Sequence, residues 1–255
     1  MTTAKDDYER YLEGRHRPAH GRRTADRWAA FLLPHLRPDM RLLDIGCGPG
    51  SITSGLAAAV GSTVGVDRSP LAIEGVPVAG AEGARLPFPD ATFDAVFTNA
   101  TLQHVPSPLA VVSEARRVCR PGAVIGVGDA DWGGALFHPA DPLLDRAWEI
   151  RAALREGSDV YVGRKLRDLL AAAGFERAEL FVRGNVVGTT EAAMNLGWGE
   201  WTFFEAPEVV AYVTELGLSE AKEMQAIAEA WKSWAGHPGA GGATFWFTAL
   251  AWAPS

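Results

Sequence analysis

Cysteine is nearly absent from this chain of 255 residues: only Cys47 and Cys119 occur. Two cysteines make no disulfide framework, and a reducing compartment is the simpler inference. Basic charge is in deficit as well. Lys+Arg is 24 against Asp+Glu 31, a formal net charge of -7. A duplex nucleic acid would require an excess of basic residues on one face, and the only basic cluster is the short "GRHRPAHGRR" at residues 14–23. Long apolar runs are missing, so no membrane span is expected. The N-terminal "MTTAKDDYER" lacks the apolar stretch of a secretory signal. There is no internal repeat and no low-complexity tract. The expectation is a cytoplasmic globular protein with no nucleic-acid partner, of one domain or one domain carrying an elaboration.

The patterns that are present alternate between two periods. Residues 24–36, "TADRWAAFLLPHL", carry apolar residues at helical spacing behind a possible N-cap, Thr24. "RLLDIG" reads as a first buried strand, followed by a glycine loop and a helix over about 51–60. "STVGVD" ends the second strand on Asp67, "PVAGAE" is a short third, and "FDAVFTNA" is a fourth. The helix "LAVVSEARRVCR" and the strand "PGAVIGVGDA" follow. Such alternation implies a parallel sheet covered on both faces. Only fourteen residues separate Asp67 from Glu82, so a shortened helix or a mere turn is expected around "SPLAIEG". Two further helices, "DPLLDRAWEIRAAL" and "GRKLRDLLAAAGF", lead to a sixth strand, "RAELFVRGNVV". Three helical patterns rich in Trp and Phe lie between about 191 and 234, before a terminal strand, "ATFWFTALAW". A late strand after a long helical insertion suggests that the insertion covers the ligand edge of the sheet.

The loop "RLLDIGCGPG", residues 41–50, carries the chemistry. A glycine loop between a first strand and its helix presents backbone amides at the carboxyl edge of an open α/β sheet, where ligands bind. The glycines fall at alternate positions, Gly46, Gly48 and Gly50, a poor phasing for the G-x-G-x-x-G dinucleotide fingerprint. Asp44 would repel a pyrophosphate and attract an ammonium or sulfonium. Asp67 suits the two hydroxyls of a ribose. A ligand with a ribose and a cationic portion follows, and S-adenosylmethionine meets both requirements. The alternative is a tight turn with Asp44 as a helix cap.

With these residues in place, the chain resembles the class I S-adenosylmethionine-dependent methyltransferases. "LLDIGCGPGSIT" matches the first motif of that family and "VGVDRS" the second. "AEGARLPFPDATFDAVFTNATLQHVPSP" is similar to the corresponding stretch of its small-molecule branch, the ubiquinone/menaquinone methyltransferases. The resemblance is strongest over about residues 40–131. It implies an α/β fold: a Rossmann-like, seven-stranded, mostly parallel sheet with an antiparallel last strand. A helical lid would be inserted between the sixth and seventh strands. The expected division is an N-terminal helical cap (1–39), a cofactor-binding core (40–188 and 243–255) and a substrate lid (189–242). By the same resemblance Asp44, Gly46 and Gly48 would line the methionine part of the cofactor, with Cys47 between them. Asp67 would hold the ribose and Arg68 flank the adenine. Glu82 stands where the family usually has Asp against the adenine amino group, Gly83 would reach a ring nitrogen, and Asn99 would face the methionine backbone. The product would be S-adenosylhomocysteine.

Candidate catalytic and acceptor groups are less determined. His104, just after the fourth strand, is either a general base or a histidine that holds its loop, and Gln103 is the competing inward-facing residue. Asp129 and Asp131 lie at the end of the fifth strand; Asp131 either orients an acceptor or caps the next segment, and no metal site is expected. Arg23 could pair with the methionine carboxylate, in a segment with His16, His20 and Arg22, and Tyr8 and Tyr11 belong to the same expected lid. His20, Tyr11, Trp198, Trp201 and Phe204 are candidate acceptor contacts, or else helix packing. The leading expectation is methyl transfer to a small molecule, one of secondary metabolism, by a monomer or homodimer. The alternatives are another use of the cofactor, such as cyclisation, a non-catalytic cofactor-binding partner, and an oxidoreductase, which the glycine phasing opposes.

Overall fold

The computed structural model describes residues 3–21, 23–155 and 158–255, without the side chains of residue 13 and residues 15–20. Seven strands form one sheet in the order β3-β2-β1-β4-β5-β7-β6. They are β1 (Arg41–Ile45), β2 (Ser62–Asp67), β3 (Val78–Gly80), β4 (Phe93–Asn99), β5 (Cys119–His138), β6 (Glu176–Val187) and β7 (Gly241–Trp252). β1 through β5 pair in parallel, and the last strands are antiparallel. The helices are α1 (Ala4–His20), α2 (Ala25–Trp28), α3 (Ser51–Ala57), α4 (Pro108–Val118) and α5 (Pro142–Ala153). After them come α6 (Val162–Ala172), α7 (Thr190–Glu205), α8 (Pro207–Glu215) and α9 (Ala221–Gly236).

The chain divides into two compact units. One comprises residues 17–131, 157–183 and 246–255, the other residues 1–16, 132–156 and 184–245. Residues 1–16 and 132–156 thus group with the late helices, a wider helical unit than the 189–242 expected from sequence, while residues 17–39 of the expected cap belong to the sheet unit.

In the sheet unit, strand alternation sends neighbouring residues to opposite faces. Leu43, Ile45, Val96, Ile125 and Val127 pack with Val111, Ala115, Leu166 and Leu170 from α4 and α6. Leu42, Ala95, Phe97 and Val124 face the other way, against Ala25, Ala29, Leu32 and Leu56. The strongly apolar strands follow from burial on both faces. Residues 68–77 hold no helix, only a lone bridge between Ile73 and Val76, as the short spacing implies. Two expectations need correction. The helix expected over 24–36 is only Ala25–Trp28, followed by turns and a 3-10 turn at Leu33–His35 that has Pro34 in its first turn; proline has no N–H to extend an α-helix. Thr24 occupies the N-cap position but makes no capping bond. The fifth strand runs on well past Ala130, to His138.

In the helical unit, Phe203, Phe204, Val209, Met224, Ile227 and Trp231 form a separate buried core. α7 and α9 approach closely at Gly197, where a Cβ would stand 2.4 Å from the Ala235 Cβ and 3.2 Å from the Trp231 carbonyl oxygen.

Among the described residues no helix is long and apolar enough to cross a membrane. In the sheet unit, α6 sits hard against the middle of β5, at the strand end expected from sequence: a Cβ at Gly163 would meet the backbone oxygens of Ala130 at 2.8 Å and Asp129 at 3.0 Å. Backbone cannot yield as a side chain can. Gly163→Ala should therefore cost about 1–3 kcal/mol of stability, read as a lower urea midpoint. An unchanged midpoint would mean that α6 does not bear on that strand end.

Candidate active site

β1 delivers the chain to a loop that must turn at once, and Gly46, Gly48 and Gly50 all have left-handed φ, 77°, 51° and 79°. The turn is bonded to the neighbouring strand. The N–H groups of Gly46 and Cys47 donate to the Val66 carbonyl at 2.7 and 3.1 Å. The Gly48 N–H donates to Asp67 Oδ2 at 2.9 Å, and the Ser69 N–H to Asp67 Oδ1 at 2.9 Å. The glycines differ in what surrounds them. A Cβ at Gly46 would stand 2.1 Å from the Thr101 hydroxyl, and one at Gly50 would stand 2.4 Å from the Ile73 side chain. Nothing lies within 4 Å at Gly48. Protein packing thus excludes side chains at two of the three positions, and open space adjoins the third.

That loop forms one wall of a cavity of about 590 Å³ within the sheet unit. Gly46, Cys47 and Gly48 line it, with Asp67 and Arg68 after β2, Glu82 and Gly83 after β3, Asn99 and His104 after β4, and Arg23 before α2. The fold therefore brings together nearly all of the residues that the sequence assigned to a cofactor. Asp44 is the exception. It is 3 % exposed, does not line the cavity, and accepts a bond from Thr53 Oγ1 at 2.6 Å. Burial pushes its carboxyl up to about 7 against the pull of the Thr53 bond, and the nearby charge of Asp67 adds to the rise. Cys47 packs with Ile73 and Val76, and burial raises its thiol to about 12.

Two polar groups on the cavity wall are poised. Both the Nδ2 and the Oδ1 of Asn99 are buried without a hydrogen-bond partner among the described residues. The Arg23 guanidinium lies 4.5 Å from the centroid of Trp28 and 5.6 Å from that of Trp246, and these rings meet edge to face at 4.9 Å. Burial lowers its pKa and the charge of Asp129 raises it. Among the described residues it forms no salt bridge.

The acid that shapes the loop after β4 is Asp129. Fully buried, it accepts the N–H groups of Leu102 at 2.8 Å, Gln103 at 3.3 Å and Ala130 at 2.9 Å. Burial outweighs those bonds and lifts its carboxyl to about 7. The turn so held, Leu102–His104, buries Gln103 and exposes His104. Asp131, the other candidate, does not line the cavity. Its carboxylate forms a bidentate pair with Arg164, at 2.5 Å to Nε and 2.6 Å to Nη2, so the acceptor role expected of it is replaced by a structural pair.

Tyr11, Trp198, Trp201 and Phe204 belong to the helical unit. Phe204 is fully buried, which corrects its reading as an acceptor contact, and Trp201 packs, half-buried, against the same core. Tyr11 also packs there and donates to the Thr202 carbonyl at 3.4 Å. Trp198 is 60 % exposed. Arg22 lies outside the described residues, as do the side chains of His16 and His20. Sequence reading missed Thr53, Thr101, Trp28 and Trp246. Thr101 meets Gly46 and Trp246 meets Trp28 from far along the chain, Thr53 reaches Asp44 across the loop, and only the aromatic character of Trp28 and Trp246 was a signal.

Comparison with known proteins adds the family. A family described as "Methyltransferase domain" matches residues 43–127. A probable methyltransferase of Aspergillus luteorubrus is 35% identical over 161 residues, 53% of this chain and 55% of that protein. The 2-phytyl-1,4-naphtoquinone methyltransferase of Synechococcus elongatus is 30% identical over 197 residues, 62% of this chain and 78% of that protein. The chain spans about half the length of several curated relatives that it matches. Among solved structures, a Haemonchus contortus phosphoethanolamine N-methyltransferase in complex with S-adenosylhomocysteine superimposes with a TM-score of 0.53. It is 19% identical, and the match covers 86% of this chain and 50% of that one.

Asp44 and Asp129 are held near 7 when folded, against an ordinary 3.8. Between these values the folded chain keeps protons that the unfolded chain has released. The resulting stability is fully present below about pH 4 and is lost as pH rises through about 7. Urea titrations of the ligand-free protein should show the unfolding free energy falling from about pH 5 to about pH 8, with Asp44→Asn flattening part of the slope. A slope identical in the variant would show that Asp44 titrates normally.

Proposed function

The chain belongs to the class I S-adenosylmethionine-dependent methyltransferases, and from that premise we propose that it methylates a small organic acceptor, one of secondary metabolism. The observation that carries this reading is the cavity, where Asp67, Asn99 and Arg23 share one wall system with the glycine loop. The residues fit the cofactor of the family. Asp67, already oriented by Gly48 and Ser69, would take the ribose hydroxyls. Glu82 and Gly83 would take the adenine edge and Arg68 flank it. Arg23 would pair with the carboxylate of the amino-acid portion, and the unpaired amide of Asn99 supplies both a donor and an acceptor for the same portion. Asp44 would contribute charge from beneath the loop. S-adenosylmethionine supplies an activated methyl group with its leaving group built in. The work left to this chain is to position the acceptor, exclude water and, where the acceptor carries a proton, remove it. His104 is the proposed base, presented by the turn that Asp129 holds. A relative named for a naphthoquinone supports a small-molecule acceptor.

Calorimetry should show S-adenosylhomocysteine binding and no NAD binding; the reverse would overturn the reading. Methyl label from the cofactor should appear in a small product, which separates methyl transfer from cyclisation or mere cofactor binding.

Asp67→Ala should weaken cofactor binding by about 1.5–3 kcal/mol, the scale of hydrogen bonds to a charged group. The variant also frees the Gly48 N–H, so stability should fall by about 1 kcal/mol. Undiminished affinity would place the ribose elsewhere.

His104→Ala should lower turnover about 10²–10⁴-fold with cofactor affinity nearly intact, and the rise of activity with pH should vanish. Joint loss of stability and cofactor affinity, with the pH profile unchanged, would instead make His104 a residue that holds its loop.

A further inference from the structure

Among the described residues of the helical unit, two buried arginines adjoin one buried carboxylate. Arg151, on α5, keeps 12% of its side chain exposed, and Glu200, on α7, keeps 8%. Their charged atoms stop 3.7 Å apart, Nε to Oε2, too far for a hydrogen bond. Both atoms are buried without a hydrogen-bond partner among the described residues. Arg155 follows one turn later and donates to the Arg151 carbonyl. Its guanidinium lies 3.7 Å from the centroid of the Trp132 ring, and its Nε is also buried and unpartnered among the described residues. Arg151 lies 4.1 Å from the Phe203 centroid and 5.7 Å from that of Trp132. Trp148 stands 5.1 Å from Trp132, its indole N–H likewise buried and unpartnered among the described residues. Among the described residues two guanidinium groups thus share one carboxylate, a local surplus of one positive charge.

A cation over an aromatic face is stabilising, and one such arginine would need no further explanation. A second arginine beside it is unfavourable, because like charges repel and neither keeps its water. The consequence is visible in Arg155, which burial and the charge of Arg151 pull down to about 9. Paired guanidinium groups with free N–H donors match the planar, divided charge of a carboxylate or a phosphate. One bound anion would cancel the surplus and occupy the orphan donors, and the half-buried ring of Trp148 adds apolar surface beside them.

We propose that the helical unit binds an organic anion, a carboxylate or phosphate group on an apolar body, through Arg151 and Arg155. The inference is independent of the methyl-transfer reading, since it concerns side chains of the helical unit alone.

The test is a thermal melt of the full chain at constant ionic strength with sodium benzoate, sodium phosphate or sodium chloride. For a ligand fragment of about 10 mM affinity, a concentration of about 50 mM should raise the melting temperature by about 2–4 °C over chloride. A response to benzoate alone assigns a carboxylate, and a response to phosphate alone assigns a phosphate ester. Arg155→Met keeps the stem and removes the charge. It should abolish the shift while leaving the anion-free melting temperature equal to the wild type or higher. No shift beyond chloride in the wild type overturns the proposal. So does a shift that persists in Arg155→Met, which would place the anion elsewhere, the cofactor cavity included. A lower anion-free melting temperature in Arg155→Met overturns it as well, because the arginine would then be packing. If Arg155→Met fails to fold, Arg155→Lys is read in its place: loss of at least half the shift supports the site, and full retention overturns it.

Discussion

The site depends on one bonded junction, that between the glycine loop and the end of β2. Consecutive amides at Gly46 and Cys47 point at one carbonyl, Val66, and the next glycine points at the carboxylate of Asp67. Amides can converge in this way only where the chain reverses through left-handed conformations, which three closely spaced glycines permit. The junction fixes the loop to the strand and orients Asp67 in the same act. A carboxylate that already accepts two backbone N–H groups loses little freedom when a ribose arrives, so its contribution to binding is preorganised.

The carboxyl edge of β4 and β5 follows the same logic with a side chain in place of backbone. The buried carboxylate of Asp129 gathers three amides, and the turn that carries Gln103 and His104 takes its shape from them. Such a group is not there for stability alone. Burial raises its pKa despite the bonds, which means that the folded chain disfavours the charged form more than water does. Asp44 behaves alike beneath the loop. Neither acid lines the cavity, but Asp44 precedes Ile45 and Asp129 holds the turn of His104, both of which do; the proposed ligand is a cation, and a cation is what makes a buried carboxylate favourable in its charged form.

Much of this was legible in the sequence because it is local. Strand alternation, the order of loop and helix, Asp67 at a strand end and the shortage of chain before Glu82 all operate within a few residues. The two-sided burial of β1 was equally readable from its unbroken apolar run. What the sequence did not disclose is pairing across distance. Asp131 and Arg164 stand thirty-three residues apart and look like two unrelated surface charges. Thr101 fills the space that makes Gly46 obligatory, and nothing near either residue announces it. Trp28 and Trp246, from opposite ends of the chain, flank Arg23. Phe204 and Trp201 carry no mark that separates a ligand wall from a helix core, and the fold put them in the core.

The glycine loop also shows how a correct inference can rest on an incomplete reason. Alternate glycines suggested that a ligand approaches the backbone at all three positions. At Gly46 and Gly50 the approaching atoms belong to Thr101 and Ile73, and open space is found at Gly48 alone. Two of the glycines therefore exist so that neighbouring loops can close over the strand ends, and the third is the one that faces open space. An alanine at Gly46 or Gly50 would act first on folding, through the displaced partner, and on binding only as a consequence. At Gly48 the order reverses: the space is open, and only the left-handed backbone is opposed. The same residue type at three adjacent sites thus answers to two different constraints, and geometry, not composition, tells them apart.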